Sequence, residues 1–151
     1  MIPTLADDDP GREAYALLGT AWRSSTTRAV ATGGSFDAVE TEQRYAGQAL
    51  ERLRALGASR GAVSAEGDRW TFFIPLGSGR FAWPPSVTYI SGPAVRLPPR
   101  SARGAGFSLR WISRGEPTGK FLTPPDELVT VLTEITPVPS PRHPCEARSG
   151  S

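Results

Sequence analysis

The stretch from Thr32 to Ile74 constrains this chain most, because the period of its apolar residues changes twice within it. Gly33 and Gly34 break the chain, and Ser35-Phe-Asp-Ala-Val-Glu40 then alternates at a period of two, as a half-buried strand does, with Phe36, Ala38 and Glu40 on one face. From Thr41 the spacing turns helical. Ala46, Ala49, Leu50, Leu53 and Leu56 recur at steps of three and four, Thr41 suits the N-cap and Gly57 the terminator. Ala62 to Ala65 and Arg69 to Ile74 flank Glu66-Gly67-Asp68, which reads as the turn of a β-hairpin. Glu40 and Glu42 thus fall at a strand-to-helix junction, a place where ligands tend to bind in α/β arrangements.

The rest of the chain reads as shorter pieces. Asp9 and Pro10 open a helical pattern through Ala14, Leu17, Leu18 and Ala21, with the aspartates at 7 to 9 explained by the helix macrodipole and solvation rather than by a metal. Arg28 to Ala31, Val87 to Ile90, Ala94 to Leu97 and Phe107 to Ile112 are expected strands, the third stopped by Pro98-Pro99 because proline cannot donate to a ladder. Thr123 and Pro124 open a last helix with Leu128, Val129, Leu132 and Ile135 as its buried stripe. The expected organisation is an N-terminal helix and loop over 1–29, a core over 30–135 and a disordered Pro/Ser-rich tail over 136–151.

At 151 residues there is room for one domain with a real core. No run approaches the roughly 20 apolar residues of a membrane helix, and Met1 to Asp9 lacks the regions of a signal peptide, so a cytoplasmic protein that does not engage membranes is expected. Cys145 and His143 are single of their kind and sit in the tail, which excludes a disulfide or a Cys/His zinc site within the chain. The net charge is only +2, but eight arginines lie between Arg60 and Arg114 against Glu66 and Asp68. Such a segment suits a phosphate-bearing partner, and solvated arginines on outward strand positions explain it equally.

The Thr-Gly segment, the strand Phe36-Asp-x-x-Glu40, Ala46-Gly47, the helix around Ala49-Leu50-Glu51-Arg52-Leu53, Gly61-x-Val63 and the Phe72-Phe73 strand resemble the bifunctional DNA primase/polymerase (prim-pol) domain, in the short, divergent form of high-GC bacteria. Gly92-Pro-Ala-Val-Arg-Leu-Pro98-Pro99 and Leu109-Arg110-Trp111 add to the likeness, which spans roughly residues 30 to 135. The resemblance implies a single α+β domain with a mixed β-sheet flanked by helices. It also implies a DNA primase/polymerase-like function in a degenerate form that keeps nucleotide or nucleic-acid binding.

The resemblance assigns Glu40 and Glu42 to the family's metal-holding carboxylate pair, for Mg2+ or Mn2+, although both are glutamates where aspartates are usual. Trp70 falls at the position of the family's phosphate-contacting histidine, and no acid between Asp68 and Glu116 supplies the third carboxylate. Arg69, Trp70, Arg96, Arg100, Arg103 and Arg110 are the expected nucleic-acid contacts, the last four on one phosphate-binding face. Three readings remain open: a binding protein with little or no polymerase activity, an active metal-dependent nucleotidyltransferase using Glu40 and Glu42, and a small non-enzymatic module that binds another protein. Glu40 and Glu42 as ordinary surface acids, and Trp70 and Trp111 as core residues, are the plain alternatives at those positions.

Overall fold

The computed structural model describes residues 25–57, 61–102, 106–114 and 122–136. Its elements, in chain order, are β1 (Arg28–Ala31), β2 (Phe36–Glu42), α1 (Gln43–Ala55), β3 (Ala62–Glu66), β4 (Arg69–Pro75), β5 (Thr88–Ile90), β6 (Ala94–Leu97), β7 (Leu109–Arg114) and α2 (Pro125–Ile135). A short 3-10 turn, Ser78–Arg80, follows β4. The N-terminal helix expected from sequence, the expected tail beyond Thr136, and Arg103 lie outside the described residues.

Five strands form one sheet in the order β5-β2-β4-β3-β7, and β1 with β6 forms a separate two-stranded ribbon. The chain is α+β, as expected, but among the described residues every strand pairing is antiparallel, so the sheet is not mixed. The reason lies in the β2-α1-β3 crossover. Both β2 and β3 run antiparallel to β4, hence parallel to each other, and β4 has inserted between them. Periodicity identified the strands, whereas this insertion is a long-range choice that no local pattern encodes.

The alternation within each strand sends residues to two different cores. Val39, Val63, Phe72 and Ile74 face α1 and α2, where they pack with Ala46, Ala49, Leu53, Leu128, Val131 and Leu132. Phe36, Ala62, Phe73 and Trp111 face the other way and pack with Leu97 of the ribbon, against which Val30 and Val95 lie. Both helices therefore cover one face of the sheet, and the ribbon covers part of the other. Fully burying a large aliphatic or aromatic side chain contributes about 1.5–3 kcal/mol, and Phe72, Phe73, Phe36, Leu53, Ile74, Leu128 and Leu132 are all fully buried.

Local details differ from the sequence reading where tertiary partners take over a side chain. Thr41 does not cap α1. It remains in β2 opposite Trp70, donates its hydroxyl to the Ser86 carbonyl, and leaves Glu42 as the N-cap residue. Thr123 likewise accepts from the Gly61 amide instead of capping α2, which begins after Pro124. Leu56 is exposed rather than part of the α1 stripe, because it is the C-cap residue beyond the packed turns. Phe107 precedes β7 and is also exposed.

Candidate functional site

The ribbon side of the sheet is graded in rows that the registers fix. Ile90, Ala38 and Phe73 make an apolar row across β5, β2 and β4, and Ala62 of β3 packs in the same cluster as Phe73. The next row on that face, at strand spacings of about 4.8 Å, is polar: Thr88, Glu40, Thr71 and Ser64, ending on Trp111 of β7. A third row carries charge, with Glu42, Arg69 and Glu66 followed by Leu109. The ribbon lies toward the apolar row, and a cleft of about 270 Å³ opens beside it, floored by Glu40, Thr71 and Ser64 and roofed by Ala94, Val95 and Arg96.

The ribbon is fixed to the sheet at its β1–β2 and β5–β6 links. The Thr32 hydroxyl donates to the Pro93 carbonyl at 2.7 Å and accepts from the Gly92 amide at 2.8 Å, so the two links are pinned to each other. Gly33 allows this approach: its φ is +86°, and a Cβ there would lie 2.8 Å from the Gly92 nitrogen. A side chain at residue 33 would therefore meet backbone, which cannot swing aside. The far end is held by Leu97 in the ribbon-side core and by the Trp111 amide donating to the Ala102 carbonyl.

Two ion pairs border the cleft. Arg96 of the ribbon reaches Glu66 at the end of β3 at 2.6 Å, and Arg69 reaches Glu40 more loosely at 3.5 Å. The floor hydroxyls are different. Ser64 is 3% exposed, Thr71 is half-buried, and among the described residues neither hydroxyl has a side-chain hydrogen-bond partner. These two point into an open cleft, which supplies the space for one.

The expected site residues divide between places. Glu40 and Arg96 line the cleft, and Arg69 borders it only through its contact with Glu40. Glu42 does not: it turns outward to pair with Arg44 at 2.9 Å beside Asp68. Trp70 stands on the opposite side of the sheet, packed against the helix-side core, since it is the immediate neighbour of Thr71 on a strand with period two. Arg110 is on that same side, opposite Ala65, and folds back on the Phe107 and Ser108 carbonyls. Arg100 is exposed in the turn after Pro99. Arg96 and Arg110 are thus on opposite sides of the sheet, and the single face expected for Arg96, Arg100, Arg103 and Arg110 does not form. Trp111 is buried against Phe73, with ring centroids 6.4 Å apart.

Glu66, Ser64 and Thr71 are the cleft residues that sequence reasoning passed over. Glu66 is not part of the turn, contrary to the sequence expectation: only Gly67 and Asp68 form it, and of these two Gly67 has positive φ, +64°, matching the first central position of a type II′ turn. A two-residue turn fixes the register, and from it Glu66 opposite Arg69 and Ser64 opposite Thr71 follow. The pairing of β2 with β4, which brings Glu40 into the same row, carries no comparable local signal.

On the helix side, Asp37 is fully buried near the start of β2. It accepts from the Gly77 amide at 2.9 Å and from the Tyr89 hydroxyl, which ties β5 and the turn after β4 to β2. Burial, and then the hydrogen bond to Asp37 and its charge, raise the Tyr89 pKa above its ordinary value.

The carboxylates present do not fit the metal pair that the resemblance implies. Divalent ions need several free oxygens, whereas Glu40 and Glu66 are each held by an arginine and Glu42 faces elsewhere. Among the described residues, no three His, Cys, Asp or Glu side chains come together, and no helix is long and apolar enough to cross a membrane. No family model, curated protein or solved structure matches this chain. The geometry of the cleft therefore carries the functional argument.

Proposed function

We propose that this chain is a nucleotide- or nucleic-acid-binding domain, similar in plan to a reduced primase/polymerase domain, that takes one nucleoside unit into the cleft beside the β1–β6 ribbon. The observation that carries this reading is the pair of unpartnered hydroxyls, Ser64 and Thr71, set between Glu40 and two bordering arginines. Hydroxyls both donate and accept, so they match the mixed edges of a base or the hydroxyls of a sugar. Arg69 and Arg96, partly exposed at the border, suit the phosphates of the same ligand. A cleft of about 270 Å³ lies just below the roughly 300–1,000 Å³ of sites for drug-sized ligands, which favours one residue-sized unit. Metal-dependent nucleotidyl transfer is the weaker reading, because the carboxylate pair it needs is split by the outward turn of Glu42.

The test is fluorescence anisotropy of a labelled ten-residue oligothymidylate at low salt, with ATP as competitor. Replacing both hydroxyls, Ser64→Ala with Thr71→Ala, should weaken binding about tenfold, as expected for two net hydrogen bonds of about 0.5–1.5 kcal/mol each. The melting temperature should hardly change. Binding of the oligonucleotide should also fall with salt by a log-log slope of about −0.7 per phosphate contacted. Equal binding by the double variant, or no binding by any form of the protein, would remove this reading.

A further inference from the structure

We infer that Glu66 occupies, on Arg96, the place of the ligand's phosphate, so that the cleft carries its own competing anion. The inference rests on the binding reading above and adds how that site is regulated. Glu66 ends β3 beside the two-residue turn, and Arg96 lies in the ribbon, so their 2.6 Å contact spans the cleft from floor to roof. Guanidinium engages carboxylate and phosphate through the same planar fork. A ligand phosphate at this edge therefore competes for the donors that Glu66 now occupies.

The contact is suited to exchange rather than to holding the fold. Its side chains are 57% and 48% exposed, and exposed pairs of this kind contribute little to stability. The ribbon has firmer attachments in fully buried Leu97 and in the Thr32–Gly92–Pro93 hydrogen bonds. Glu66 adjoins Gly67 at the tip of the hairpin, and its side chain is already half in solvent. The Arg69–Glu40 pair repeats the arrangement on the adjoining strand with a longer contact. Each cleft arginine thus has a resident carboxylate, and an incoming phosphate displaces one to gain the other.

The experiment measures ATP and inorganic tripolyphosphate binding calorimetrically for the full chain, for Glu66→Gln, for Arg96→Gln and for the double variant. Glu127→Gln serves as the control: Glu127 is exposed on α2, on the other side of the sheet, and its replacement changes net charge equally. Glu66→Gln should tighten ATP binding about two- to fivefold, the range set by the small worth of an exposed pair, and Glu127→Gln should not. The gain should vanish when Arg96 is also replaced, which a double-mutant cycle reads directly. Parallel gains for tripolyphosphate would assign the competition to phosphate itself; a gain confined to ATP would assign it to the nucleotide as a whole. If the full chain binds ATP but Glu66→Gln binds no tighter than Glu127→Gln, or keeps its gain without Arg96, the inference falls and the binding reading stands. ATP binding seen only in Glu66→Gln supports the inference in its strongest form, and binding by none of these proteins overturns both.

Discussion

The two faces of the five-stranded sheet are built from the same strands, yet they do different work. On the helix side Val39, Val63, Phe72 and Ile74 meet apolar side chains from α1 and α2. On the ribbon side the rows run from Phe73 and Ala38 through Thr71 and Ser64 to Arg69 and Glu66. Neighbours in sequence therefore have unlike duties: Phe72 holds the domain together, and Thr71, one residue away, faces a cleft. The contrast teaches that strand parity alone decides which side chains meet the helices and which meet the ribbon and its cleft.

The largest expected effect tests the helix side. Phe72→Ala should cost about 3–5 kcal/mol in chemical denaturation, because it leaves a cavity in the main core. A cost comparable to that of Thr71→Ala would erase the distinction between the faces. Next is the anchorage of the ribbon. Gly33→Ala places a Cβ 2.8 Å from the Gly92 nitrogen at a φ of +86°, and such strain costs about 1–3 kcal/mol. Its signature should be faster proteolysis within β1 and β6 with the helices still folded; uniform loss of all structure would mean that the faces do not separate.

The smallest effect concerns Tyr89, whose hydrogen bond to Asp37 fastens the edge strand to the helix side of β2. Its pKa is raised in the folded state, so the stability it contributes is complete below the unfolded value of about 10 and is lost as pH rises through the folded value. Tyr89→Phe should cost about 1–2 kcal/mol at neutral pH and should flatten that alkaline loss. An unchanged alkaline melting profile in the variant would place the sensitivity in another group.

Sequence periodicity located β2, α1, the β3–β4 hairpin and α2, because each is a local repeat, although on α2 the buried stripe runs through Val131 rather than the expected Val129. It also placed Phe36, Ala38 and Glu40 on one face of β2, where the registers put them. Asp37 was out of reach: alternation marks it as the polar side of a half-exposed strand, but the strand is covered on both sides and Asp37 is buried beneath partners from residues 77 and 89. Arg110 lies away from the expected phosphate-binding face, and Trp70 takes its core alternative rather than the nucleic-acid contact, for a related reason. Their side of the sheet follows from register against Thr41 and Ala65, which only strand order fixes. The cleft itself depends on β4 lying between β2 and β3, and that neighbourhood is written in no contiguous segment.

The crossing of Thr32 with Gly92 and Pro93 also bears on how the molecule is assembled in time. These contacts join residues 60 and 61 positions apart, whereas the β3–β4 floor closes across a two-residue turn. Closing a long loop costs more chain entropy than closing a short one, and non-local pairings slow folding for that reason. The hairpin beneath the cleft can form on the timescale of about 1–10 μs typical of such units, while the ribbon above it must wait for distant segments to meet. The cleft is then completed at the close of folding, so a newly made chain is compact before its cleft has a roof.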